Sequence, residues 1–213
     1  RRQRQMCIRD SLEYPDYQLL RIWHYFPQIT HPEGELERYQ RFSKARHDVL
    51  SAFGYRMSLD LPAASAIGSD SGGFVLYFLA GTGKTSAIEN PRQTSAYRYP
   101  SQYGPRSPSF SRAILHEGKD FRHLFLSGTA SIVGHETVAP FNRERQTEET
   151  LENLEALLHE ADFPSIGNPL TQAAWCVYLR NEADLPAIRD IIENRICSSS
   201  QVVFLRGDLC RED

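Results

Sequence analysis

Two stretches of helical period, set among runs of strand period, constrain this chain more than anything else in it. GELERYQRFSKARHDVLSAFG, residues 34–54, places Leu36, Tyr39, Phe42, Val49, Leu50 and Phe53 at helical spacing, with a glycine at each end. RERQTEETLENLEALLHEA, residues 143–161, puts Leu151, Leu154, Leu157 and Leu158 on one face. The opposite face carries Glu148, Glu149, Glu152 and Glu155, which reads as a solvated face and not as a catalytic carboxylate pair. A helix with one apolar stripe must lay it on another element, and the segments between these helices supply sheets.

Strand patterns occupy LLRIWHYFPQI (19–29), AASAIGS (63–69), GGFVLYFLAG (72–81), SFSRAILH (109–116) and HLFLSGTASIVG (123–134), the last bending at Gly128. AAWCVYLRN (173–181) and SQVVFLRGDLC (200–210) read as two more strands. DLPAIRDIIENRI (184–196) between them reads as a helix with Asp184 as N-cap and Pro186 in its first turn. The order predicts an α+β fold, mixed β-sheets with helices packed on one face.

Several function classes are excluded by what the chain lacks. The formal net charge of −3 offers no global basic field for nucleic acid. No apolar run is long enough to span a bilayer and no signal-peptide core opens the chain, so a cytoplasmic location and no membrane partner are expected. Cys7, Cys176, Cys197 and Cys210 form no C-x-x-C pair, and the seven histidines do not cluster, so no metal site is expected. Cys176 reads as a small core residue and His135 as a hydrogen-bonded turn histidine.

LAGTGKTS, residues 79–86, imitates the end of a phosphate-binding loop. The pattern G-x-x-x-x-G-K-[ST] requires a glycine where Phe78 stands, and a helix afterwards where SAIENPRQ offers none. The expectation is a hairpin turn between two strands.

Residues 89–111 have neither period and are too long for a casual connector. In ENPRQTSAYRYPSQYGPRSPSFSRA, Arg92, Arg98, Arg106 and Arg112 alternate with Tyr97, Tyr99 and Tyr103, while Pro91, Pro100, Pro105 and Pro108 stiffen the path. Guanidinium forks bind carboxylate or phosphate bidentately, and phenols add donors and an apolar face. The lining suits a small cyclic dianion. An ordered loop with structural ion pairs and a single-stranded nucleic-acid platform are the competing readings.

That segment, followed by LFLSGTASIVGHET, QTEETLENLEALL and CVYLRN and preceded by RIWHYFPQI and GELERYQRF, resembles the chorismatases from about Leu19 to Arg211. The resemblance implies RidA/YjgF-like and chorismate-mutase-like modules. It also implies a cofactor-free and metal-free conversion of chorismate to a hydroxybenzoate, the 3-isomer favoured, with release of pyruvate. The two carboxylates of chorismate call for two cationic anchors. Arg98, Arg106 and Arg112, with Tyr97 and Tyr103, are candidates for one; Arg180 beside Tyr178 is the candidate for the other. Gly128, Thr129 and Ala130 would form a backbone floor. Cys210 matches a cysteine of hydroxybenzoate-forming members and is the catalytic candidate. A RidA-like imine or enamine deaminase and a non-catalytic small-ligand binding module are the alternatives.

The resemblance also bears on organisation. Residues 1–11 read as an artefactual or disordered arm, 12–95 as a partial N-terminal α/β module and 96–213 as a C-terminal RidA-like domain. The chain is expected to begin inside its parent protein. The family's proton-donating glutamate is expected beyond Asp213, leaving this stretch impaired as it stands. Product ratio, pathway and oligomeric state, monomer or trimer, stay open at this level.

Overall fold

Alternation in the first apolar run decides which side of the fold receives helices. Along the strand Gln18–Pro27, Ile22, His24 and Phe26 point one way and Arg21, Trp23 and Tyr25 the other, as a two-residue repeat requires. The computed structural model, which describes residues 16–163, 173–196 and 201–212, pairs this strand in parallel with Ala63–Ser69 and antiparallel with Val75–Gly81. The arm at residues 1–11 and Asp213 lie outside the described residues.

The helix Arg38–Ala52 covers the Phe26 side. Its Phe42 ring stands 5.1 Å from Phe26 and meets His24 edge-on at 4.9 Å. Gln40 Oε1 accepts the Glu37 N–H at 3.2 Å, satisfying one orphan donor of the first turn. The helix stops where Gly54 takes φ +79°, a left-handed value that glycine adopts without steric cost.

A second, antiparallel sheet joins Lys84–Ile88, Ala113–Glu117 and Arg122–Leu126. Trp175–Leu179 and Val202–Arg206 pair in parallel, with the helix Leu185–Ile196 as their crossover. That helix and Arg143–Glu160 bury Leu151, Leu154, Leu158, Ile188, Ile192 and Ile196 against Trp175, Val177 and Phe204. On the other side the hydroxyls of Tyr25, Tyr77 and Tyr178 meet, at 3.0 Å and 2.6 Å. The helices therefore lie on one face of mixed sheets, the α+β arrangement that the periodicities predict. Among the described residues no helix is long and apolar enough to cross a membrane.

The first sheet and the turn after Val202–Arg206 meet in a close approach. Gly68 and Asp208 exchange backbone hydrogen bonds of 2.8 and 2.9 Å, and a Cβ on Gly68 would stand 2.7 Å from that of Asp208. Glycine is the residue that admits this contact.

Three local expectations change. The turn at Thr82 and Gly83 is not a hairpin. The strand before it pairs with Gln18–Pro27 and the strand after it with Ala113–Glu117, so the turn carries the chain between sheets. A strand and no helix follows, as the missing phosphate-loop features require. Cys176 is exposed and not core, because Trp175, Val177 and Leu179 take the helix-facing positions. Asp184 keeps its place directly before the helix Leu185–Ile196, at the end of a short 3-10 turn, Glu182–Asp184, and its carboxylate pairs with Arg143 at 2.7 Å. The last strand ends at Arg206, where Gly207 and Asp208 turn towards Gly68.

Candidate functional site

A proline-rich segment becomes a rigid wall only if its polar groups are tied down, and residues 89–98 are tied at both ends. Asn90 Nδ2 donates to Asn153 O at 2.8 Å in the long helix, and Gln93 Nε2 donates to Ile132 O at 3.0 Å. Thr94 N–H and Gly134 O bond at 2.7 Å, and Gly134 N–H returns to Arg92 O at 2.8 Å. Arg92 clasps Glu149 and, at 3.1 Å, Glu152. Glu149 is 3% exposed, so the glutamate face of that helix is not wholly solvated as periodicity suggests. Its inner edge anchors the arginine–tyrosine segment.

Behind this wall lies Arg112, 3% exposed. Its Nη2 donates to Thr94 O at 2.8 Å and to the Tyr99 hydroxyl at 2.9 Å. Its Nε is buried and has no hydrogen-bond partner. Phe110 and Tyr99 flank the guanidinium at 5.4 and 5.7 Å. The Tyr103 hydroxyl donates to His135 O at 2.7 Å, and Arg211 stacks on the Tyr103 ring at 4.3 Å. Arg211 Nη2 also donates to His135 O, at 2.8 Å.

Cys210 packs with Phe26, Ile29, Phe42 and Tyr39. Burial pushes its thiol up, against the opposing pull of Arg211 and Arg112, so the sulfur stands there as a thiol and not as a thiolate. Burial likewise pushes the Tyr39 phenol far up. Glu89 adds a carboxyl whose Oε1 accepts the Arg112 N–H at 3.3 Å and whose Oε2 is buried without a partner.

Burial raises the Glu89 carboxyl above its ordinary 4.5, with Ser95 and Arg112 opposing. A raised carboxyl stabilises the fold below its unfolded pKa and loses that contribution as pH rises through its folded pKa. Glu89→Gln is therefore expected to melt higher than the parent at pH 7, with the gain vanishing as pH falls below about 4.5. Equal melting temperatures across that range, followed by circular dichroism, would refute this.

The other sequence candidates fall elsewhere. Arg98 is exposed and stacks on Tyr97 at 5.6 Å. Arg106 is exposed, 3.8 Å from Asp48. Gly128 N–H donates to Ala64 O at 3.1 Å, Thr129 Oγ1 donates to Ser127 O at 3.1 Å, and Ala130 O accepts from Asn153 at 3.1 Å. Tyr178 lies with Tyr25 on the helix-free face. Arg180 is bound to Asp208 at 2.7 Å and to the carbonyls of Arg211 and Glu212, beside an open cavity of about 370 Å³ shared with Arg206 and Asp70. The structure thus gathers Tyr103, Arg112 and Cys210, and adds Tyr39, Tyr99, Glu89, His135 and Arg211. Tyr99 stands in the segment's own alternation, and Tyr39 in the helical stripe; His135 carries no signal beyond its turn. Among the described residues no group of three or more His, Cys, Asp or Glu is placed to hold a metal ion.

Residues 4–80 match the family model for the N-terminal part of FkbO/Hyg5-like chorismatases. The chain is 35% identical over 207 residues to a 3-hydroxybenzoate synthase of Streptomyces hygroscopicus, covering 92% of this chain and 60% of that protein. It is 36% identical over 212 residues to a chorismatase of Streptomyces rapamycinicus, covering 95% and 63%. A crystal structure of a chorismatase superposes with a TM-score of 0.86 at 31% identity, covering 98% of this chain and 66% of that one. The chain thus spans about three fifths of the curated relatives' length.

Proposed function

The chain belongs to the chorismatase family, and from that premise we propose that its protein converts chorismate to 3-hydroxybenzoate and pyruvate. One observation of the site carries the reading: Arg112 is a buried guanidinium with a free Nε–H, hydrogen-bonded through its side chain to a carbonyl and a phenol, with the Glu89 carboxyl near it but held on its backbone N–H. A buried cation left uncompensated costs several kcal/mol, and an anionic ligand removes that cost. Arg112 with Tyr99 and Tyr103 takes one carboxylate of the substrate.

The chemistry then needs a proton at the enolpyruvyl methylene, supplied by a carboxylic acid kept protonated by burial. The new C–H bond forms as the ring C–O bond breaks, and pyruvate leaves. The neighbouring ring hydroxyl closes on the vacated carbon and gives up its proton, forming an arene oxide. The C–O bond at the hydroxyl's original carbon then breaks, the oxygen regains a proton, and the carbon that keeps it loses its hydrogen, giving 3-hydroxybenzoate with no water consumed. Cys210, held as a thiol against an apolar wall, steers that ring capture. The substrate is a small molecule, and the reaction has no step that calls for nucleic acid or a membrane.

Full-length protein incubated with chorismate is expected to release pyruvate, read by coupled lactate dehydrogenase, and one equivalent of 3-hydroxybenzoate, read by chromatography. No pyruvate sinks the proposal. Pyruvate with only a non-aromatic diol sinks the role of Cys210. Ammonia from an imine substrate in place of pyruvate would favour the deaminase reading.

A further inference from the structure

A dicarboxylate needs a second cation, and the packing of the helix Arg38–Ala52 on the sheet supplies one that sequence spacing does not reveal. Tyr39, Ser43 and Arg46 fall at i, i+4 and i+7, one stripe of that helix. The stripe faces inward, towards the strand Gln18–Pro27 and the segment Ser109–Arg112. Arg46 Nε donates to Ser109 O at 3.0 Å, and Arg46 Nη1 donates to His24 Nε2 at 2.9 Å. His24 is 1% exposed, and its Nδ1–H donates to Ser65 O at 2.9 Å, so the ring is neutral and its Nε2 is the acceptor.

Four polar atoms on and around this stripe are buried without partners: Ser43 Oγ, Arg46 Nη2, Ser109 Oγ and Arg112 Nε. All four can donate. The groups acting on Arg46 by charge are Tyr39 and Tyr55, not carboxylates, and burial lowers its pKa to about 10. Tyr39 lies within electrostatic reach of both Arg46 and Arg112, so one phenol neighbours both guanidiniums.

Beside Arg46 the helix and sheet enclose a cavity of about 40 Å³ lined by Ile22, His24, Phe42, Arg46, Leu50 and Phe74. One water needs ~10–15 Å³, so the space takes two or three heavy atoms, the size of a carboxylate head. Its walls are apolar and its polar end is cationic. Buried charges of this kind are either paired within the protein or waiting for a ligand.

We propose that Arg46, with Ser109 beside it, is an anion subsite that takes one carboxylate of a dicarboxylate while Arg112 takes the other. The proposal rests on the function proposed above, which supplies chorismate as the dicarboxylate. In this arrangement Arg46 and not Arg180 is the second anchor.

The experiment is calorimetric binding to the full-length protein, which reads affinity whether or not turnover occurs. The probes are chorismate, with two carboxylates, and benzoate, with one. Arg46→Met removes the charge at similar volume and is expected to weaken chorismate binding about 10- to 100-fold, because one charge-assisted pairing is lost. Benzoate binding at Arg112 should change less than about twofold, since that anchor is intact. Thermal melts accompany both proteins, and Arg46→Lys, which keeps the charge without the fork, should fall between them in chorismate affinity. Unchanged chorismate affinity in a folded Arg46→Met protein overturns the subsite, and so does an equal loss for both probes. Binding without pyruvate release overturns the proposed reaction and leaves the subsite standing; no chorismate binding by the parent protein overturns both.

Discussion

Replacing Arg112 with Met in the full-length protein should lower kcat/KM for chorismate roughly 10²- to 10⁴-fold, the effect of losing one or two charge-assisted hydrogen bonds in a dry site. The same change should leave the melting temperature within a few degrees or raise it. Arg112 is 3% exposed and its side-chain partners are a carbonyl and a phenol, not a carboxylate. Removing a buried charge that has no ion-paired carboxylate relieves desolvation while losing two hydrogen bonds and its attraction to Glu89, and these effects oppose each other. A purely structural arginine would show the reverse: lost stability and activity that tracks the folded fraction. Arg112→Lys should recover little activity, because a point charge cannot reproduce the fork that spans Thr94 O, the Tyr99 hydroxyl and the free Nε direction. Steady-state kinetics with thermal melts decides the matter; wild-type kcat/KM in Arg112→Met removes Arg112 from the site.

Much of this architecture was legible in the sequence because period and burial coincide there. Phe42 and Leu50 recur at helical spacing and are the apolar residues that the helix Arg38–Ala52 buries, with Ser43 beside them. Leu151, Leu154 and Leu158 do the same in Arg143–Glu160. What stayed hidden depends on partners far along the chain. Glu149 belongs to a charged stripe by sequence, yet Arg92 reaches it from 57 residues away and draws it inside. The glycine turn after Val75–Gly81 has hairpin chemistry, but strand pairing is a long-range choice: Val75–Gly81 pairs with Gln18–Pro27, and Lys84–Ile88 pairs with Ala113–Glu117. The site behaved likewise. The alternation of arginine and tyrosine marked the right segment without saying which guanidiniums turn inward. Arg112 sits where the chain enters the strand Ala113–Glu117 and is carried inside, whereas Arg98 and Arg106 leave short turns into solvent. Arg46 was invisible because its neighbours His24 and Ser109 lie 22 and 63 residues away.

Arg92→Met should destabilise the fold by about 3 kcal/mol, and the double replacement Arg92→Met/Glu149→Leu should recover most of it. Breaking a buried pair from one side leaves a charge without its partner and costs about 3–5 kcal/mol, whereas an apolar pair of similar volume is often neutral. The lower figure applies because the Arg92 side chain keeps 29% of its exposure and because Arg145 still stands 3.6 Å from Glu149. For a domain of this size the single change corresponds to a fall in melting temperature of roughly 6–12 °C. The consequence for the site is separable. Arg92 O accepts the Gly134 N–H, and Asn90 binds the backbone at Asn153, so the segment carrying Tyr99 and Tyr103 is held by the main chain as well as by the ion pair. The double variant should therefore regain chorismate affinity together with stability. If stability returns and affinity does not, the charge of the clasp itself acts on the ligand, and Arg92 belongs to the anion site and not to its scaffold.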